Sequence, residues 1–178
     1  MARREFEIAF VGLQPGEHHF EYHITDAFFE AYQPNTLTNC NATVKLTLEK
    51  NTNFMLLTFA VGGTVVGLCD KCGNDFPLTL WDDFNMVVKQ VENPAKMNEE
   101  EEDPDVYYIS RTESILTVKD WIYEFIHLSI PMQVMCTEAE MGKAQCNTKV
   151  LAMLEQMNVH NAVATDERWK GLDQFKKK

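Results

Sequence analysis

From Ala42 to Glu49 the chain alternates strictly: Ala42, Val44, Leu46 and Leu48 are apolar, while Thr43, Lys45, Thr47 and Glu49 are polar. A period of two residues gathers the apolar set on one face, so this segment predicts a strand with one buried and one wet side. Asn51-Thr52-Asn53 is rich in turn formers, and Phe54 to Val61 after it is almost continuously apolar, which predicts a second strand covered on both faces. Gly62-Gly63 marks a turn or a bend, after which Thr64 to Leu68 carries the strand to Cys69. Phe76, Leu78 and Leu80 begin a return strand. Phe84, Met86 and Val88 keep its alternation going, with a bend or bulge expected at Asp82-Asp83. Val106 to Ile109 resumes extended structure, so the first two-thirds of the chain read as an antiparallel meander. Upstream, Phe20, Tyr22 and Ile24 suggest a strand, and Asp26 to Tyr32 a helical turn.

The period then changes. Val118, Trp121, Ile122, Phe125 and Ile126 recur at helical spacing, with Thr117 as the expected N-cap and Pro131 as the stop after Ile130. Asn147 predicts the start of a second helix with a stripe of Val150, Leu151, Leu154 and Met157, and Asp166 that of a third carrying Trp169, Leu172 and Phe175. These apolar stripes predict core. The fold class expected is α+β: an antiparallel β-meander, open or barrel-like, packed against C-terminal helices.

At 178 residues the chain fits one domain, which at that size buries roughly 70% of its unfolded surface without disulfide staples. Met1-Ala2-Arg3-Arg4 leads into Glu5-Phe6-Glu7-Ile8 and not into an apolar run, so no secretory signal or membrane span is expected. A cytoplasmic protein with reduced thiols follows. The net charge of −11 argues against a broad basic groove for nucleic acid. Positive charge clusters at the two ends, in Arg3-Arg4 and in the basic tail Lys176 to Lys178. The densest negative block, Glu99 to Glu102 with Asp103 and Asp105, reads as a flexible, solvated loop over residues 98–105.

The most specific chemistry lies in Cys69-Asp70-Lys71-Cys72-Gly73. Two thiols separated by two residues grip one metal ion from a single turn, and a glycine directly after them takes the positive φ such a turn needs. A structural zinc wants four ligands, and the remaining cysteines are Cys40, Cys136 and Cys146, without a second Cys-x-x-Cys. Cys40, at the start of the first clear strand, reads as an inert buried thiol. A thioredoxin-like dithiol starts a helix in a βαβ unit, whereas this turn is flanked by strand patterns on both sides. The histidines form no helical metal pair: His18 and His19 lie in an expected loop beside Pro15-Gly16, His23 in the upstream strand, His127 on the polar side of the first helix and His160 in a linker. Gly62-Gly63 and Gly67 match neither a dinucleotide nor a phosphate-loop pattern.

Three segments follow one another along the chain: Gly67-Leu68-Cys69-Asp70-Lys71-Cys72-Gly73, the run from Ile115-Leu116-Thr117-Val118 through Leu128-Ser129-Ile130-Pro131, and the ending Asp166-Glu167-Arg168-Trp169-Lys170-Gly171-Leu172. Their order resembles that of the YceD family, named for large ribosomal RNA subunit accumulation. The chain resembles that family from about the first long strand onward. The resemblance implies a bacterial cytoplasmic protein that supports accumulation of large-subunit ribosomal RNA and ribosome assembly. Such proteins are often encoded beside a large-subunit ribosomal protein and have no established catalytic activity. The expected partner is a large-subunit ribosomal protein or pre-ribosomal RNA, with no membrane and no small-molecule substrate. Relatives carry a cysteine-rich segment after the Leu-x-x-Pro-like element, whereas here Cys136 and Cys146 stand there with Thr137 to Gln145 between them. Cys69, Cys72, Cys136 and Cys146 are then either the four ligands of a structural zinc ion or buried, unmetallated thiols. The competing function is a cysteine-dependent redox or metal-binding enzyme using Cys69 and Cys72.

Overall fold

The computed structural model describes residues 5–32, 37–136 and 146–161, with the side chains of 158–161 left aside. Arg3-Arg4, the segment Thr137 to Gln145, the helix expected from Asp166 and the tail Lys176 to Lys178 lie outside them. The elements run β1 (Glu7–Ile8), β2 (Gly16–Thr25), α1 (Asp26–Phe29), β3 (Thr38–Lys50), β4 (Phe54–Leu68), β5 (Asp75–Val91), α2 (Pro94–Glu100), β6 (Val106–Ser110), β7 (Leu116–Thr117), α3 (Lys119–Leu128) and α4 (Thr148–Asn161). The chain divides into two compact units, Met1–Gly67 with Pro77–Val134, and Leu68–Phe76 with Met135–Lys178.

The first unit is α+β. Its main sheet has the order β2-β3-β4-β5-β6, and β1 pairs antiparallel with β7 in a second, two-stranded sheet. The main sheet ends at β2 and β6 among the described residues, so it is not a closed barrel. β3 behaves as its pattern dictates: Cys40, Ala42, Val44, Leu46 and Leu48 are buried, and their odd-numbered neighbours are not. His18 and His19 belong to β2 and not to a loop, with His18 opposite Leu48 and His19 opposite Thr47.

β4 departs from expectation in two ways. Met55, Leu57, Phe59 and Val61 are buried, but Leu56, Thr58 and Ala60 are half-buried and Phe54 is exposed, so the strand has one covered face. The strand also runs straight through Gly62-Gly63. Gly63 has φ +143°, and a Cβ there would collide with the Asn41 carbonyl and Ala42, so the glycine allows β3 to approach closely. β5 likewise continues through Asp82-Asp83, with even-numbered residues buried on both sides of the pair.

The meander expected to be antiparallel throughout has a parallel edge. β6 pairs parallel with β5, Val87 facing Val106 and Val91 facing Ser110. Parallel neighbours need a crossover connection, and α2 lies in it. Asn93 accepts from the Lys96 N–H to cap this helix, and Pro94 occupies its first turn. Residues 98–100 of the acidic block are therefore helical. Asn98 Nδ2 donates to the Tyr108 carbonyl, Asn98 Oδ1 accepts from the Tyr108 N–H, and the Tyr108 hydroxyl donates to Glu101 at 2.6 Å.

α3 supplies an aromatic-rich face. Phe125 stacks on Phe84 with centroids 4.5 Å apart and lies 4.9 Å from Phe59, while Val118, Ile122 and Ile126 are fully buried. The N-cap position is Val118 and not Thr117, which is held in β7 opposite Glu7. The helix stops at Leu128, where the Ser129 hydroxyl turns back to donate to the Phe125 carbonyl. His127 is half-buried, its ring against Tyr123 and Phe29, and is not on a wet polar side.

Candidate metal centre

The second unit carries the cysteine turn, which joins β4 to β5. Cys69 N–H donates to the Asn74 carbonyl at 2.9 Å, and Gly73 N–H donates to the Cys69 carbonyl at 2.8 Å. Gly73 has φ +71°, the left-handed value that a glycine reaches without steric cost. This closes the chain so that Cys69 and Cys72 are both buried. Cys136 arrives from the segment after α3, and Cys146 directly precedes Asn147, whose side chain accepts from the Lys149 and Val150 N–H groups to cap α4.

All four sulfurs lie within 4.8 Å of one another. Cys136 Sγ is 3.5 Å from Cys69 Sγ, 3.7 Å from Cys72 Sγ and 2.8 Å from Cys146 Sγ. A tetrahedral ion with metal–sulfur bonds of about 2.3 Å separates its sulfurs by about 3.8 Å. The Cys69–Cys136 and Cys72–Cys136 spacings match that edge, and all four fit one small ion after the Cys136–Cys146 pair opens by about 1 Å. The expected ligand set is thus brought together, from three chain segments. Cys40 is excluded from it: it is buried on β3, its N–H donates to Asp26, and its thiol lies against the Ile24 carbonyl.

The electrostatics suit a cation. Burial pushes the Cys69 thiol up, but N–H groups of Cys136, Cys72 and Lys71 aimed at its sulfur outweigh this and bring it down to about 6. Cys136 is held far above its ordinary value, first by its hydrogen bond to Cys146 and then by burial. Cys146 is lowered by that same bond, yet burial and the Cys72 sulfur leave it raised on balance. Cys69 is poised as a thiolate while Cys136 and Cys146 resist a further negative charge, which is the state a cation relieves. Metal binding displaces the remaining protons. Four thiolates are a soft donor set suited to zinc.

The described histidine side chains take no part. His19 bonds Thr47, His23 lies by Thr43 and Glu21, His18 bonds the Gln14 carbonyl, and His127 bonds the Tyr123 carbonyl. The backbone of His160 falls in α4 and not in a linker. Among the described residues the metal-competent group consists of the four cysteines.

The family model for YceD, large ribosomal RNA subunit accumulation protein, matches residues 57–176 of the 178-residue chain. This chain belongs to the YceD family. The matched stretch contains all four clustered cysteines. No curated protein and no solved structure shows a match. No described helix of this YceD-family chain is long and apolar enough to cross a membrane.

Proposed function

We propose that this YceD-family chain is a non-enzymatic, cytoplasmic factor that supports accumulation of large-subunit ribosomal RNA and ribosome assembly. It does so by binding a large-subunit ribosomal protein or a pre-ribosomal particle, with Cys69, Cys72, Cys136 and Cys146 holding a structural zinc ion. The observation that carries the role is the family match over residues 57–176. The net charge of −11 favours a basic protein over naked RNA as first contact, since it repels phosphate at long range. A structural rather than catalytic reading of the thiols is supported by their position. Cys69 and Cys72 sit between two strands instead of at a helix start, and both are buried against further thiols.

Deletion of the gene is expected to lower large-subunit ribosomal RNA while sparing small-subunit RNA. The tagged chain is expected to capture a large-subunit ribosomal protein more readily than naked RNA. An unchanged subunit balance in the deletion strain would remove the ribosomal role.

A further inference from the structure

Trp81 stands on β5 with 80% of its surface exposed, the most exposed aromatic among the described residues. Its exposure follows from parity. Leu80 and Met86 point to the core, so odd-numbered β5 residues face outward, and Thr79, Asp83 and Asn85 on that side are exposed too. Asn85 accepts from the Thr58 hydroxyl at 2.8 Å, which ties β4 to β5 on this outer face. The main sheet also carries a hollow lined by Ala60, Gly62 and Gly63 with Glu21, Thr43 and Lys45. The indole itself projects from β5 into solvent.

Tryptophan is highly buried on average, so an indole left in water forfeits its burial, and at interfaces tryptophans concentrate binding energy. The charge on the outward face of the sheet selects the partner. The outward side chains of β2, β3 and β5 include Glu17, Glu21, Glu49 and Asp83 against Lys45 and Lys89. Lys89 is turned onto the Tyr108 ring, 5.7 Å from its centroid. Asp83 shares the outward parity of Trp81 two positions on, whereas Asp82 is of the opposite parity and accepts from the Asp83 N–H. An exposed ring and a carboxylate on one face fit a guanidinium, which stacks on the ring face while its N–H fork pairs with the carboxylate.

We propose that Trp81 and Asp83 on the open face of the main sheet dock an arginine-bearing segment of a basic protein. This deepens the proposed function, on which it rests, by placing the partner contact on the main sheet of the first unit.

The test uses the full chain and three probes of equal length: an arginine-glycine peptide, a lysine-glycine peptide and a uridine oligonucleotide. The arginine peptide is expected to bind most tightly, and Trp81→Ala to weaken it by about tenfold. Trp81→Phe should recover part of that loss, and Asp83→Asn should weaken binding and flatten its salt dependence. Both side chains are exposed, so thermal melting should stay unchanged and report a folded chain. Trp81→Ala binding equal to the parent, or tighter binding of the oligonucleotide than of the arginine peptide, would overturn the proposal. Capture of a ribosomal protein that persists undiminished in Trp81→Ala would remove this surface while leaving the ribosomal role standing. Loss of that role with peptide binding intact would do the reverse.

Discussion

In the sheet unit the buried side chains form a continuous apolar set: Val44, Leu46 and Leu48 on β3, Leu57 and Phe59 on β4, Val88 on β5, and Ile122, Phe125 and Ile126 on α3. In the unit built from Leu68–Phe76 and Met135–Lys178, the buried side chains among the described residues are Cys69, Cys72, Phe76 and Cys136. The stripe expected to make α4 a core helix is open there, with Val150 and Leu151 half-buried and Leu154 and Met157 exposed. Among the described residues, one unit has the apolar burial that offsets chain entropy, whereas the described interior of the other is concentrated on sulfur. Small units without a sufficient core are those that need a metal or a covalent clip. The contrast predicts that the two units answer to different perturbations.

The largest effect should come from the cysteines. Cys136 has a sulfur neighbour in every other member of the cluster, so Cys136→Ser should reduce bound zinc from about one ion per chain to near none. Structural zinc contributes about 10–16 kcal/mol of apparent binding free energy in the smallest zinc domains, so the second unit should lose its fold. Metal analysis with circular dichroism checks both outcomes, and full helicity without metal would break the contrast.

Truncation in the sheet should be smaller and confined to the other unit. Phe59 is fully buried against Phe125 and Trp121, so Phe59→Ala should cost about 3–5 kcal/mol in denaturant unfolding while zinc content stays unchanged.

Two of the three positive-φ glycines among the described residues sharpen the comparison further. Gly63→Ala places a methyl group against backbone at φ +143° and should cost about 1–3 kcal/mol of sheet stability. Gly73→Ala meets no atom within 4 Å at φ +71°, so it should cost only the backbone strain of about 1–2 kcal/mol, visible as easier zinc loss. Unfolding curves and competition with a chelator read the two.

The last effect is electrostatic and confined to alkaline pH. Burial, with Asp26 nearby, raises the Cys40 thiol from 9.0 to about 11. Its folded value lies above its unfolded one, so its contribution is full below pH 9 and fades as pH climbs through 11, by at most about 1.4 kcal/mol per unit. Cys40→Ala should flatten sheet stability across that window, as followed by denaturant titrations at pH 8 to 11.

Much of the sheet was legible from alternation, because the two-residue period of β3 and the even-numbered core positions of β5 fix a face directly. Strand direction was not. Period two is the same for parallel and antiparallel neighbours, and the crossover that makes β6 parallel begins in α2, whose acidic residues resemble a solvated loop. The glycine pair at 62–63 signalled a special backbone without telling a turn from a close strand approach. In the cluster, the Cys69–Cys72 turn and Gly73 were readable because their spacing is local. The approach of Cys136 and Cys146 depends on chain paths that no spacing encodes. Trp81 escaped notice because a single aromatic in an alternating strand looks like core until the parity of Leu80 and Met86 is applied to it.

The most direct test of the account is hydrogen exchange on the zinc-loaded chain before and after chelation. Amides of residues 69–74 and 148–157 are expected to lose protection when the metal is removed, while those of Ala42 to Glu49 keep theirs. Equal protection of the cysteine turn and α4 with and without metal would contradict it.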